Sequence, residues 1–172
     1  MPGTESSAAA RVVLVALFGL FLPGADARAQ PPTAGGFPFE MTAVRAATPP
    51  VVDGVVDDAP WQTAPVATNF IQFEPRRRDP ASVRTTAQVL LGTEHLYVAF
   101  RIWDSEPLTA QLTQRDADLL SDDAVGFSLD SFFDRRTGYF FVTNPLGTQW
   151  DGRIADDGRQ TDSTWDGSWR VA

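Results

Sequence analysis

Four aspartates, Asp116, Asp118, Asp122 and Asp123, fall close together in one stretch of the chain. Hard cations such as calcium take clustered carboxylate and carbonyl oxygens, so a loop bearing these four is a candidate calcium site. Their order is not that of an EF-hand, and aspartates in such stretches also serve as turn formers or solvated charges. A second set is aromatic: Trp103 follows Arg101 by two residues, and Trp165 lies between Asp162 and Asp166. A flat indole face flanked by planar polar groups suits the C–H surface and hydroxyls of a sugar ring. For Trp103 the competing role is to cover the second face of a sheet, and for Trp165 to clamp the rim of the fold. A third set would be hydrolytic. Asp122, Asp130 and Asp151 supply carboxylates by composition, and glycoside hydrolysis needs two of them across a cleft. Aspartates at strand ends and turns are mostly structural, so no catalysis by the chain itself is expected. The one histidine, His95, falls in a turn, and there is no cysteine, which disfavours zinc and His-based chemistry. No Ser-His-Asp, Cys-His or phosphate-loop pattern is present.

The elements that must carry these residues are strands. Val125, Phe127 and Leu129 alternate with Gly126, Ser128 and Asp130, the period-2 pattern of a strand with one buried face. A turn over Asp134 to Gly138 leads to Tyr139–Thr143, apolar on both faces. Asn144-Pro145-Leu146-Gly147 has the residues a type I turn favours, ahead of a strand from Thr148 to Ala155 in which Trp150, Gly152 and Ile154 share one face. This predicts a three-stranded meander. Upstream, Val83 to Leu91 and Leu96 to Trp103 form a hairpin across Gly92-Thr93-Glu94-His95, with Val98, Phe100 and Ile102 on its apolar side.

Met41 to Ala46 and Ala67 to Phe73 read as further strands. Ala59 to Thr63 reads as a single turn of helix, with Asp58 at its N-cap, Pro60 in its first turn and Trp61 as a plug for the end of the core. Arg76-Arg77-Arg78 is a solvated loop, and Asp104 to Ser121 is a long connection of the kind that carries binding function. Trp165 to Val171 begins a last strand, still running at Ala172. Seven or eight strands without a long amphipathic helix predict an all-β fold: an antiparallel two-layer β-sandwich, immunoglobulin-like or jelly-roll-like, incomplete at its C-terminal end. Val125, Phe127 and Leu129 would face Val98, Phe100 and Ile102 across it. A closed barrel is the alternative.

Arg11, the apolar run Val12 to Leu22 and the small-residue sites Ala25-Asp26-Ala27 or Ala27-Arg28-Ala29 predict a signal peptide over residues 1–29. Pro23-Gly24 ends the run short of the about 20 apolar residues of a membrane span. Residues 30–40, with Pro31-Pro32 and Gly35-Gly36, form a flexible spacer, and one domain occupies 41–172. Export places that domain in the periplasm, at the outer membrane or outside the cell. The net charge of −8 belongs to the mature part, because Glu5 and Asp26 cancel Arg11 and Arg28. So acidic a surface disfavours nucleic acid and anionic membranes as partners.

Val52-Asp53-Gly54 followed by Asp57-Asp58 and Trp61, Leu96-Tyr97-Val98 leading to Asp104, and Asp123 to Asp130 followed by Thr137-Gly138-Tyr139 occur in the order and spacing of family 9 carbohydrate-binding modules. From Val51 onward the chain resembles that family. With Asn144-Pro145-Leu146-Gly147 and Asp151-Gly152 it is similar to the amino-terminal domain of large exported bacterial proteins in which such a module precedes an outer-membrane β-barrel. The resemblance implies a β-sandwich that binds an oligosaccharide or polysaccharide, typically at a glycan end, in modules often attached to glycoside hydrolases. It also implies a polar ligand contact at Asn144. Leu120 stands where sugar-binding members place a stacking tryptophan, and Gly126 where they place an acid.

The expected function is an exported, non-catalytic carbohydrate-binding module with Trp103, Arg101, Asn144 and Trp165 as contacts and calcium as the candidate cofactor. It would be appended to a glycoside-hydrolysing or outer-membrane protein in carbohydrate catabolism. The alternative is a sugar-blind domain that docks onto an outer-membrane β-barrel.

Overall fold

The computed structural model describes residues 41–172 and the backbone of Val12–Val13. The expected leader is otherwise outside the described residues, as is the expected spacer. In chain order the elements are β1 (Val12–Val13), β2 (Val44–Arg45), α1 (Ala59–Thr63), β3 (Arg84–Leu91), β4 (Leu96–Trp103), β5 (Val125–Leu129), β6 (Gly138–Thr143), β7 (Gln149–Ala155) and β8 (Gln160–Asp162). β5 to β8 form an antiparallel meander of four strands, to whose outer edge the short β1 adds beside β5. β2, β3 and β4 form a second sheet, with β2 parallel and β4 antiparallel to β3. The described residues are therefore mostly β, in two sheets with one short helix.

The β3–β4 hairpin turns at Gly92, where an added Cβ would lie 2.9 Å from the Tyr97 ring. Its register sets Leu90 opposite Tyr97, Val89 opposite Val98 and Arg84 opposite Trp103. Alternation then sorts the side chains. Leu90 is fully buried against Trp61 and Ala64 of the α1 segment, with Val44, Val56, Tyr97 and Ala99 packed around them. Trp61 is the expected plug. Gln88, on the same face, donates from Nε2 to the carbonyls of Trp61 and Ala64 at 2.8 and 3.0 Å, which satisfies the open end of this one-turn helix. Asp58 precedes the helix but does not cap it; its carboxylate accepts from the Val51 N–H at 2.8 Å and holds the incoming chain instead.

In the meander, Phe140 lies opposite Gly152 and Val142 opposite Trp150. The pairing needs the glycine, since a Cβ on Gly152 would sit 2.7 Å from the Phe140 ring and 2.6 Å from the Asp162 carbonyl. Phe140 meets Trp150 edge-on at 5.3 Å. Leu119, Ala124, Phe140 and Val142 are buried on this face, and Leu112 and Ala117 of the long connection pack on them.

The expected buried face of β5 is corrected here. Val125, Phe127 and Leu129 point the other way and are half-buried, while Ala124 and Gly126 lie on the better-filled side. Phe127 stacks on Phe141 at 5.1 Å, and Trp165 and Trp169 meet Phe141 edge-on. Ile102 of the opposing expected trio is 37% exposed. Among the described residues, buried apolar side chains form one cluster on each sheet, and Ala87 and Val89 are buried outside both, on the β3 face they share with Val98 and Phe100.

Two expected strands are also replaced. Ala67 to Phe73 makes only the isolated bridges Ala67–Ala87 and Ile71–Pro80, because Asn69 takes φ +61° and breaks the extended run. Trp165 to Val171 forms no ladder; side-chain hydrogen bonds hold it to the meander.

Candidate functional site

The end of the β3–β4 sheet carries an exposed aromatic and basic platform. Arg84 is opposite Trp103 and Thr86 opposite Arg101, so all four share the face that α1 covers further along. The Arg84 guanidinium carbon lies 4.1 Å from the centroid of the Trp103 ring, a cation–π contact. Trp103 remains 46% exposed, and Arg84 and Arg101 are exposed beside it. Paired eight-residue strands make this a rigid mount for a flat ring. Trp103 and Arg101 are thus brought together; the other expected contacts are elsewhere.

Asn144 is buried in a latch that closes the long connection against the β6–β7 turn. Its Nδ2 donates to the Leu112 carbonyl at 2.8 Å and to Asp122 Oδ2 at 2.9 Å. Its Oδ1 accepts from Leu146 N and Thr148 N at 3.1 and 2.9 Å. Every polar atom of the side chain has a protein partner.

The same latch employs two of the expected calcium ligands. Asp122 Oδ2 also accepts from Gln111 N and Leu112 N, both at 3.0 Å, and Asp123 Oδ2 accepts from Thr109 N at 2.7 Å. Asp118 Oδ1 accepts from Leu120 N at 3.0 Å as the cap of the 3-10 turn Leu119–Ser121. Asp116, at φ +61°, lies 3.6 Å from Arg115 Nε. Among the described residues no group of three or more His, Cys, Asp or Glu side chains is placed to hold a metal ion. Asp118, Asp122 and Asp123 each direct one carboxylate oxygen at backbone N–H groups.

These contacts set a pH dependence. The Asp122 carboxyl is held below the ordinary carboxylate range, chiefly by the Leu112 N–H, with burial opposing and the Asn144 amide and Gln111 N–H assisting. A carboxyl depressed by folding contributes stability above its unfolded pKa of about 3.9 and loses it as pH falls through the lower folded value. The Gln111 and Leu112 amides should therefore keep their hydrogen-exchange protection from pH 7 down to about 4 and lose it only below. Loss of protection by pH 6 would exclude this role for Asp122.

A second latch centres on Asp151, which is fully buried. It accepts from Arg115 Nη2 at 2.8 Å, Gly167 N at 2.6 Å and Trp169 Nε1 at 3.0 Å. Arg115 also donates to Gln149 and to Asp166. Partial burial works against the Arg115 charge but is outweighed by Asp166 and Asp151, so its pKa is raised. Trp165, carried on the segment so held, packs 4.5 Å from the Tyr139 ring and 6.0 Å from that of Phe141, a clamp on the sheet. Of the three carboxylates noted for hydrolysis, Asp122 and Asp151 are committed to these latches. Asp130 accepts from Asp134 N and Arg135 N as a turn former.

The other feature, not anticipated from sequence, is an apolar cleft of about 220 Å³ on the meander, lined by Gly126, Ser128, Phe140, Val142, Trp150 and Ile154. Its signal was the pair Gly126 on β5 and Gly152 on β7, which flank Phe140 and Val142 of the intervening β6. Compared with known proteins, the chain matches no family model, no curated protein and no solved structure.

Proposed function

We propose that this chain is an exported carbohydrate-binding module, non-catalytic in itself, whose two sheets are the layers of a β-sandwich and whose sugar contacts are Trp103 and Arg101. The observation that carries the reading is the half-exposed Trp103 ring, fixed on a paired strand with Arg84 against it and Arg101 beside it. A sugar stacks on such a ring through its C–H face, and the guanidinium groups reach its oxygens. The signal-peptide pattern supports export. Titration with soluble oligosaccharides should shift the tryptophan fluorescence. Trp103→Ala should weaken binding at least about tenfold, because losing a stacked indole face forfeits on the order of 1.5–3 kcal/mol. Unchanged affinity in that variant would refute the assignment.

A second reading is favoured by the apolar cleft on the meander: a sugar-blind domain that docks through it onto an outer-membrane β-barrel. That reading predicts co-purification with the barrel and no fluorescence response to any glycan.

A further inference from the structure

We infer that the sugar taken at Trp103 is an acidic one, a glycan carrying a carboxylate that pairs with Arg84 and Arg101. The inference rests on the carbohydrate-binding reading above and names its ligand class. The chain has 22 acidic and 14 basic residues, so a surface arginine has no shortage of carboxylates to meet. Four arginines meet carboxylates: Arg76 with Asp79, Arg115 with Asp151 and Asp166, Arg136 with Asp157, and Arg159 with Asp156. Arg84 and Arg101 are exposed and, like several other arginines, form no salt bridge among the described residues; what sets these two apart is that they share one face with an exposed tryptophan. Asp104, next to Trp103 in sequence, accepts from the Glu106 N–H at 2.9 Å.

The register makes the two arginines diagonal neighbours on one face, about 7–8 Å apart at their stems. Two like charges so placed repel each other, and an anion between them removes the repulsion while accepting the forked donors of either guanidinium. Arg84 is further fixed by its seat on the Trp103 ring. A ring with a C–H face for the indole and a carboxylate at its edge, as in a uronic acid, satisfies all three side chains together. A neutral sugar leaves the arginine pair unanswered.

The test is calorimetric titration of the leader-free protein with a tetragalacturonate, its methyl ester and a neutral tetrasaccharide. The acid form should bind at least tenfold more tightly than the ester, and the preference should shrink as salt is raised. Arg101→Gln, an exposed substitution whose folding is checked by its unchanged melting temperature, should abolish the preference, and Arg101→Lys should retain part of it. Equal affinity for acid and ester, with both lost in Trp103→Ala, would overturn the acidic specificity and leave the sugar site standing. Acid preference that survives Arg101→Gln would equally overturn the assignment to these arginines. No binding of any glycan would remove the parent reading and this inference with it.

Discussion

Replacement of Asp151 by leucine is expected to cost about 3–5 kcal/mol of stability, the largest effect of any single change considered for this protein. The carboxylate is fully buried and takes hydrogen bonds from the Arg115 guanidinium, the Gly167 N–H and the Trp169 indole N–H. Removing it takes one carboxylate partner from Arg115 and leaves the Gly167 N–H and the Trp169 indole N–H without an acceptor. Arg115 keeps Gln149 and Asp166, so it is not left wholly unpaired, and the effect falls on the docking of residues 165–169. The melt should come with a red shift of tryptophan emission as Trp165 and Trp169 leave Phe141. Combining it with Arg115→Met should recover part of the loss, because removing both partners costs less than stranding one, with a coupling energy above about 1 kcal/mol in a double-mutant cycle. A loss of under about 1 kcal/mol in the single variant would mean that the segment is not held in this way.

Asn144→Ala is expected to cost about 3 kcal/mol, measured as a shift in the urea midpoint at constant slope. The N–H groups of Leu146 and Thr148 lose their acceptor, and Asp122 loses one of three donors to Oδ2. The folded fraction should bind glycan as the parent does, since no atom of Asn144 is left over for a ligand. Trp103→Ala should show the reverse pattern: stability within about 0.5 kcal/mol and binding lost. A stable Asn144→Ala protein that no longer binds sugar would restore Asn144 as a ligand contact, the role implied by the family resemblance.

Much of the strand order is legible from alternation and turn chemistry. Leu96 to Trp103 and Val125 to Leu129 lie where period-2 patterning places them, and Pro60 with Trp61 marks the helix Ala59–Thr63. Alternation locates a strand but does not rank its two faces. In β5 the large residues Phe127 and Leu129 point to the less buried side, because the better-filled side is completed by Phe140 and Val142 from the next strand. Asn69 hides a break, since nothing local distinguishes an asparagine at positive φ from one in a strand. The roles of Asp122, Asp151 and Asn144 are the least legible. Each has a partner 10 to 36 residues away, and a carboxylate reads the same in sequence facing an amide as facing a cation. Trp103 with Arg101 was legible because both sit on one strand; Arg84 was not, because its place depends on hairpin register.

The ladders join strands that follow one another along the chain, β3 to β4 and β5 through β8, apart from the two short strands that add at the margins. Such hairpins close small loops, so they can zip independently and quickly, on the order of microseconds. The Asp151 latch must unite stretches 36 and 16 residues apart, and the Asp122 latch stretches 22 apart. On loop-closure grounds, ordering of the 165–169 segment is expected to follow zipping of the sheets, and a chain emerging amino-terminus first can complete β3–β4 before its meander exists.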